Sequence, residues 1–250
     1  MFMPAASTAI TVLQALSLLA LCSVCWFIRP LYRTTTIRPS VAEDDVLASG
    51  DAADLIGPLP ENLKDPEGHW FGMTTRARII YASKDRVAPG EITTYEDLAD
   101  PKWKGRICTR SGTHVYTLGL IGAVMAHNGV EQAETWLKGV KANLAREPEG
   151  NDRAQVKAIW AGVCDISLGN TYYMGAMLND PEQAEWANSV RIAFPEFADG
   201  SGTHVNVSGV AMTASAPNRE AAQTFIEYLA SADAQAIYAE QVYEYPARTD

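Results

Sequence analysis

Runs of β-forming residues alternate with helical patterns along most of this 250-residue chain. Strands are predicted at 70–81, 104–109, 163–168, 190–194 and 205–213. Helices are predicted at 112–128, 130–142, 151–161, 180–186, 218–230 and 232–240, with a short helix beginning near Thr94. This alternation is typical of an α/β fold, in which helices pack against a sheet. The length suits one large domain or two lobes.

The charge of the chain is distributed unevenly. Before Val41 the only charged side chains are Arg29, Arg33 and Arg38. All 30 acidic residues lie beyond that point with the other 17 of the 20 basic residues, so this part has a formal charge of −13. An acidic body argues against nucleic-acid binding, which needs clustered Lys and Arg. It is compatible with a protein that handles a cation.

Residues 5–28 form an almost uncharged apolar stretch that is long enough to span a bilayer. Three interpretations remain open: an uncleaved anchor, an atypical export signal, and a stretch that is not native to the rest of the chain. No basic residue precedes the stretch and no clear cleavage site follows it, which is unusual for an export signal. As an anchor it would place the body in the cytoplasm, because the three arginines follow it. Residues 1–40 are therefore treated as a separate signal-like, anchor-like or non-native segment.

Two cysteines, Cys108 and Cys164, lie in β-like segments just ahead of polar loops. In an exported protein such a pair would form a disulfide, whereas a cytosolic location would favour two buried free thiols. Neither cysteine has a second Cys or a His at a spacing typical of zinc ligands. A Cys108–Cys164 disulfide is thus a hypothesis that depends on where the protein resides.

Two adjacent tyrosines, Tyr172 and Tyr173, follow a predicted strand and begin a predicted helix. In α/β sheets, ligands bind in the crevice beyond the carboxyl ends of strands. A phenol has a pKa of about 10, but a small, highly charged cation stabilises the anion. Phenolate is a hard ligand that suits ferric iron. The pair indicates a metal site, with simple aromatic packing as the alternative.

A second loop, formed by Ser111, Gly112 and Thr113, joins a predicted strand to a predicted helix. Its backbone N–H groups could bind an anion at the helix N-terminus. A plain helix cap is an equally good interpretation. Tyr116 follows one turn into the helix and faces either the crevice or the core.

Taken together, these motifs resemble those of the bacterial ferric-iron-binding proteins of ABC transporters, a branch of the periplasmic solute-binding superfamily. The resemblance extends from about Asp54 to Pro246. It is most specific in residues 95–106, 110–116 and 169–175, with support from 202–209 and 243–246. Within the group the chain is most similar to the branch that holds iron mainly with tyrosines. The implied architecture is an α/β, type II periplasmic-binding-protein-like fold with two lobes.

The resemblance also implies roles for individual residues. Adjacent tyrosines are iron ligands in this family and correspond to Tyr172 and Tyr173, with Tyr116 as a third ligand in the tyrosine-rich branch. Some relatives also hold a synergistic anion, such as carbonate. The residues that would bind it here are Arg76, Ser111, Gly112, Thr113 and Asn170. The implied function is that of a periplasmic, monomeric, non-enzymatic receptor that delivers Fe³⁺ to an inner-membrane ABC permease.

Two parts of the family pattern are missing from the sequence. Members begin with a strand that carries a Tyr or His-Tyr ligand, and nothing before Val41 resembles it. Members also continue past Pro246 with a helical segment. We therefore expect one lobe to be nearly whole, at 77–208, and the other to be reduced to remnants at 41–76 and 209–250. Tight iron binding then depends on whether the missing ligand is needed.

Other functions fit parts of the sequence. A receptor of the same fold for a small organic or anionic solute would stack its ligand on Tyr172 and Tyr173 and pair an anion with Arg76. A truncated copy without a transport function would keep the same motifs. An enzyme is less well supported, because the four histidines are scattered and Ser111 lacks the flanking Gly-x-Ser-x-Gly pattern of a nucleophile.

Overall fold

The computed structural model describes residues 47–48 and 59–248 of the chain. The apolar stretch at residues 5–28 therefore lies outside the described residues, as does most of residues 41–58, the first part of the remnant predicted at 41–76. Within the described ranges, no helix has the length and apolar character needed to cross a membrane.

A mixed sheet forms the framework of the described part of the chain. Its strands are β1 (Leu47–Ala48), β2 (Trp70–Ser83), β3 (Ile107–Cys108), β4 (Ile166–Asn170), β5 (Val190–Ala193), β6 (Val205–Thr213) and β7 (Tyr245–Pro246). The spatial order is β1-β6-β2-β4-β3, and β5 and β7 also pair with β2. Only the β3–β4 pair is parallel among these ladders.

Helices cover the sheet, as the alternating sequence pattern predicts. They are α1 (Val115–Asn128), α2 (Val130–Ala142), α3 (Asp152–Trp160), α4 (Thr171–Leu178), α5 (Ala184–Asn188), α6 (Arg219–Ala230) and α7 (Ala232–Ile237). Short 3-10 turns occur at Glu61–Leu63, Glu96–Ala99 and Pro101–Trp103, and one π-helical turn occurs at Tyr238–Val242. The α/β fold class is thereby confirmed.

The predicted bounds are right for α2 and β6 and wrong at several other places. α1 begins at Val115 instead of Gly112, because His114 caps it by accepting a hydrogen bond from the Tyr116 backbone N–H at Nδ1, 3.2 Å away. The strand expected at 104–109 is reduced to two residues, since only Ile107 and Cys108 lie opposite β4. The helix expected from residue 180 begins at Ala184.

The long strand β2 connects two parts of the molecule. From Trp70 to Ala77 it pairs with β6, and from Arg78 onward it pairs with β4 and β5. The predicted lobe boundary after Arg76 falls close to this change of partner.

Separate apolar cores lie along β2. The first part of the strand and α6 contribute to one core. The residues of this core include Leu63, Phe71, Met73, Met212 and Ile226. Beyond residue 77, alternate side chains of β2 point to opposite faces of the sheet. One face packs with Leu98, Trp103 and Leu120, and the other packs with Val156, Ile159 and Met177. The second part of β2 is therefore buried on both faces where it pairs with β4.

Candidate metal site

The three tyrosines predicted as metal ligands lie together in the structure. Tyr172 and Tyr173 occupy the first turn of α4, directly after β4. The hydroxyl of Tyr172 donates to the hydroxyl of Tyr116 on α1, at 3.1 Å. The ring centroids of Tyr172 and Tyr173 are 4.3 Å apart. All three side chains are half-buried, so their oxygens can face a shared ligand at the end of β4.

The junction between β4 and α4 is fixed by close packing of Tyr81 against Gly169. A Cβ at position 169 would overlap Cε2 of Tyr81, so only glycine allows this approach. The Tyr81 hydroxyl donates to the Asn170 carbonyl at 2.6 Å. Thr171 Oγ1 accepts from the Ala77 backbone N–H at 3.3 Å. These contacts determine where α4 begins and where its two tyrosines point.

A buried carboxylate, Asp152, forms the floor of the site. It accepts hydrogen bonds from Nη1 of Arg78 at 2.6 Å and from Nη1 of Arg110 at 3.0 Å. It also accepts from the backbone N–H of Asn170 at 3.1 Å. The side chains of Asp152 and Arg78 are fully buried. Two guanidinium groups share one carboxylate, so this network carries a formal charge of +1 beneath the tyrosines.

Positive charge lies close to the aromatic rings as well. The guanidinium carbons of Arg110 and Arg78 are 5.2 Å and 5.9 Å from the ring centroid of Tyr116. That of Arg153 is 5.7 Å from the ring centroid of Tyr173. The rings of Tyr116 and Tyr173 are thus flanked by guanidinium groups.

The phenol of Tyr172 is harder to ionise here than a phenol in water. Burial, followed by the hydrogen bonds with Tyr116 and Tyr173, raises the pKa of Tyr172 well above its ordinary value. A cation that binds here must displace phenol protons, so its binding releases protons and weakens as the pH falls. This behaviour suits a small, highly charged cation better than a weakly polarising one.

The residues predicted to bind an anion are only partly grouped around the tyrosines. Ser111, Gly112 and Thr113 are exposed just ahead of α1, and the Ser111 and Thr113 hydroxyls are 2.9 Å apart. Asn170 is fully buried. Its Nδ2 lies 3.5 Å from the Tyr172 hydroxyl, and its Oδ1 accepts from Nη1 of Arg78 at 3.1 Å.

Comparison with known proteins places the chain in a family. A sequence profile described as bacterial extracellular solute-binding protein matches residues 40–250. The chain belongs to this family. Iron uptake protein A1 of Synechocystis sp. is 48% identical over 206 residues, which are 82% of this chain and 57% of that protein.

Solved structures agree with the profile. The apo ferric ion-binding protein A of Pasteurella haemolytica has a TM-score of 0.79 at 44% identity, covering 84% of this chain and 66% of that one. A Trichodesmium protein in complex with iron and citrate ligands has a TM-score of 0.77 at 43% identity, covering 84% and 67%. This solute-binding protein thus spans little more than half the length of the curated relative and about two thirds of the solved chains. Its relatives are solute-binding proteins.

Arg76 of this solute-binding protein contacts residues of β6. It pairs with Asn206 of β6, and its Nη1 donates to Oγ of Ser208. Its Nε is buried without a hydrogen-bond partner. Arg78, two residues along the same face of β2, is the arginine that contacts Asn170 and approaches Tyr116.

The sequence did not indicate a role at the site for four charged residues, namely Arg78, Arg110, Asp152 and Arg153. Arg78 could have been predicted, because it lies two residues after Arg76 and therefore on the same face of the strand. Nothing in the sequence links Asp152 to it, since the two residues are 74 positions apart. Within the described residues, no group of three or more His, Cys, Asp or Glu side chains could hold a metal ion.

Cys108 and Cys164 are joined in a disulfide, with their Cα atoms 5.8 Å apart. The bridge ties the end of β3 to the loop ahead of β4. Arg110 and the Ser111–Thr113 loop follow Cys108 directly, and β4 leads to Tyr172. The disulfide therefore links the segment before the Ser111–Thr113 loop to the segment before β4.

Proposed function

We propose that this solute-binding protein binds ferric iron through the phenolates of Tyr116, Tyr172 and Tyr173. The observation that carries the proposal is the meeting of three phenols at the end of β4, with the Tyr172 and Tyr116 hydroxyls 3.1 Å apart. Three phenolates supply three negative charges and hard oxygen ligands, which match Fe³⁺. The relatives named for iron uptake and ferric ion binding support the same cargo.

A small anion, such as carbonate, completes the coordination of the iron in this proposal. Three phenolates leave part of the coordination sphere open, and the Arg78–Asp152–Arg110 network contributes a formal charge of +1 nearby. The exposed Ser111–Thr113 loop and Asn170 supply hydrogen-bond donors. Arg76 can join them through its unpartnered Nε if the segments around β2 close on the ligand.

In the cell, we assign to the protein the delivery of Fe³⁺ from the periplasm to an ABC permease as a monomer. Strand β2 contributes side chains to all three apolar cores, so a small bend in this strand would open or close the site by a hinge motion.

The test is a titration of the purified protein with Fe³⁺, monitored by visible absorption. Phenolate coordination produces an orange-red charge-transfer band, and a Tyr172→Phe/Tyr173→Phe double variant should lose it. Tyr228→Phe is the matched control, because Tyr228 is an exposed tyrosine on α6, outside the tyrosine group. A wild-type protein that stays colourless under excess iron contradicts the proposal. Calorimetric binding of an organic solute without metal would instead support the receptor for small organic or anionic solutes.

A further inference from the structure

Tyr243 has an unusual backbone conformation. Among the described residues it is the one non-glycine position with positive φ, at φ 61° and ψ 22°. The left-handed region is disfavoured for any residue with a Cβ. Such a conformation persists only where surrounding contacts require it.

The contact that accompanies this conformation is with Gly175 in α4. A Cβ built on Gly175 would lie 2.6 Å from Cγ and 2.8 Å from Cβ of Tyr243. Glycine within a helix is normally unfavourable, and here it makes room for the Tyr243 side chain. Gly175 follows Tyr173 by two residues in the same short helix, so the ring of Tyr243 presses on the element that carries two of the proposed ligands.

The residues that follow Tyr243 contact strands β2 and β6. Glu244 accepts hydrogen bonds from Thr74 on β2 and from Ser208 on β6. Tyr245 pairs with Thr75 of β2 in the β7 ladder. We call Tyr243–Pro246 the strap, because it links α4 to β2 and β6.

We propose that Tyr243 is a positioning residue for the tyrosine site. Its ring, held by the left-handed turn and by the anchoring of Glu244, sets the tilt of α4 through Gly175. The directions of the Tyr172 and Tyr173 hydroxyls follow from that tilt. The effect on iron rests on the proposed function, whereas the coupling between Tyr243 and α4 does not.

The experiment compares Gly175→Ala, Tyr243→Ala and the double variant in the full chain. Hydrogen exchange of the α4 amides reports the helix itself, and the iron charge-transfer band reports the phenols. Gly175→Ala should speed α4 exchange about tenfold, shift the band and weaken iron binding about tenfold, because its methyl group displaces the Tyr243 ring. Adding Tyr243→Ala removes the ring atoms that the new methyl group meets most closely and leaves the contact with Cβ of residue 243, so the second substitution should greatly reduce the Gly175→Ala effect on exchange.

Two further variants separate positioning from general stability. Tyr243→Phe keeps the ring and should behave as wild type, whereas Tyr243→Ala alone should loosen α4. Gly122→Ala in α1 introduces a methyl group into open space and should alter neither readout. If Gly175→Ala does not fold, the Phe and Ala variants at position 243 still decide the matter.

The inference is overturned if the effects of Gly175→Ala and Tyr243→Ala on α4 exchange simply add, or if Tyr243→Phe and Tyr243→Ala behave alike. A protein in which exchange shows the coupling but iron gives no colour upholds the strap and refutes the iron proposal. A protein that binds iron with its band unaffected by Gly175→Ala upholds the iron proposal and refutes the positioning role.

Discussion

Asp152 lies fully buried beneath the tyrosine group and neutralises part of the charge of Arg78 and Arg110. A buried ion pair is weak evidence for net stability, but the loss of one partner leaves the other charged and unpaired. Asp152 also accepts from the Asn170 backbone N–H at the start of α4. At the scale of single residues, this carboxylate links the stability of the fold to the geometry of the site.

Asp152→Asn should lower the free energy of unfolding by about 3–5 kcal/mol, because two buried guanidinium groups lose their counter-charge. Urea denaturation of the purified protein measures this. Asp85→Asn is the control, since Asp85 is exposed and its replacement should change stability by less than about 0.5 kcal/mol. Equal stability of the two variants would show that the Asp152 network contributes little.

His204 gives the fold a specific pH dependence. Burial, then the charge of Arg78 and smaller contributions from His127 and Arg76, lowers the pKa of His204 to about 4. In the unfolded chain the pKa is about 6.5. Between these values the unfolded chain binds a proton that the folded protein does not, so stability falls as the pH drops from about 6.5 towards 4.

Unfolding measured at pH 7 and pH 5 checks this contribution. From pH 7 to pH 5, His204→Gln should lose about 2 kcal/mol less stability than the wild type, because the depressed pKa no longer contributes. The wild type supplies the comparison at each pH, which cancels the carboxylates that titrate in both proteins. An identical fall in both proteins would mean that His204 titrates normally in the folded state.

At the scale of elements, the β4–α4 junction depends on the approach of Tyr81 to Gly169. Gly169→Ala should destabilise the protein by about 1–3 kcal/mol, since the added methyl group overlaps a buried ring. Gly122→Ala, in a helix and facing open space, should stabilise it by about 0.5–1 kcal/mol through helix propensity. Thermal unfolding of both variants measures the difference, and a tolerated Gly169→Ala would show that the junction can adjust.

The sequence predicted elements well where local pattern decides them. The bounds of α2 and β6 follow from periodicity, and the tyrosine pair was placed correctly after a strand. β3 could not be bounded, because its length depends on how far β4 runs beside it. The Asp152 network could not be predicted either, since its members are 74 and 42 residues apart in the chain. The position of the start of α1 depended on His114, whose cap uses a ring nitrogen in place of the Ser or Thr oxygen usually expected.

At the scale of the whole molecule, the Cys108–Cys164 disulfide closes a segment of 56 residues that includes α1, α2 and α3. Such a crosslink restricts the unfolded chain, and removing it should cost about 2–4 kcal/mol. Denaturant unfolding of the Cys108→Ala/Cys164→Ala variant measures the loss. Reductant should bring the wild type down to the level of the variant and leave the variant unchanged. A wild type indifferent to reductant throughout unfolding would argue that no such crosslink forms.

The chain belongs to the family of bacterial extracellular solute-binding proteins, and ferric iron is its proposed cargo. Tyr172 and Tyr173 lie directly after β4, and the Tyr172 hydroxyl contacts that of Tyr116. On the proposed function, Tyr116, Tyr172 and Tyr173 together bind a single ferric ion.

The most direct test of that claim is a crystal structure of the protein grown with Fe³⁺, with diffraction data collected on both sides of the iron absorption edge. We expect one strong anomalous peak within bonding distance of the hydroxyl oxygens of Tyr116, Tyr172 and Tyr173. An anomalous peak at another place on the protein, or no peak from crystals saturated with Fe³⁺, would contradict the account.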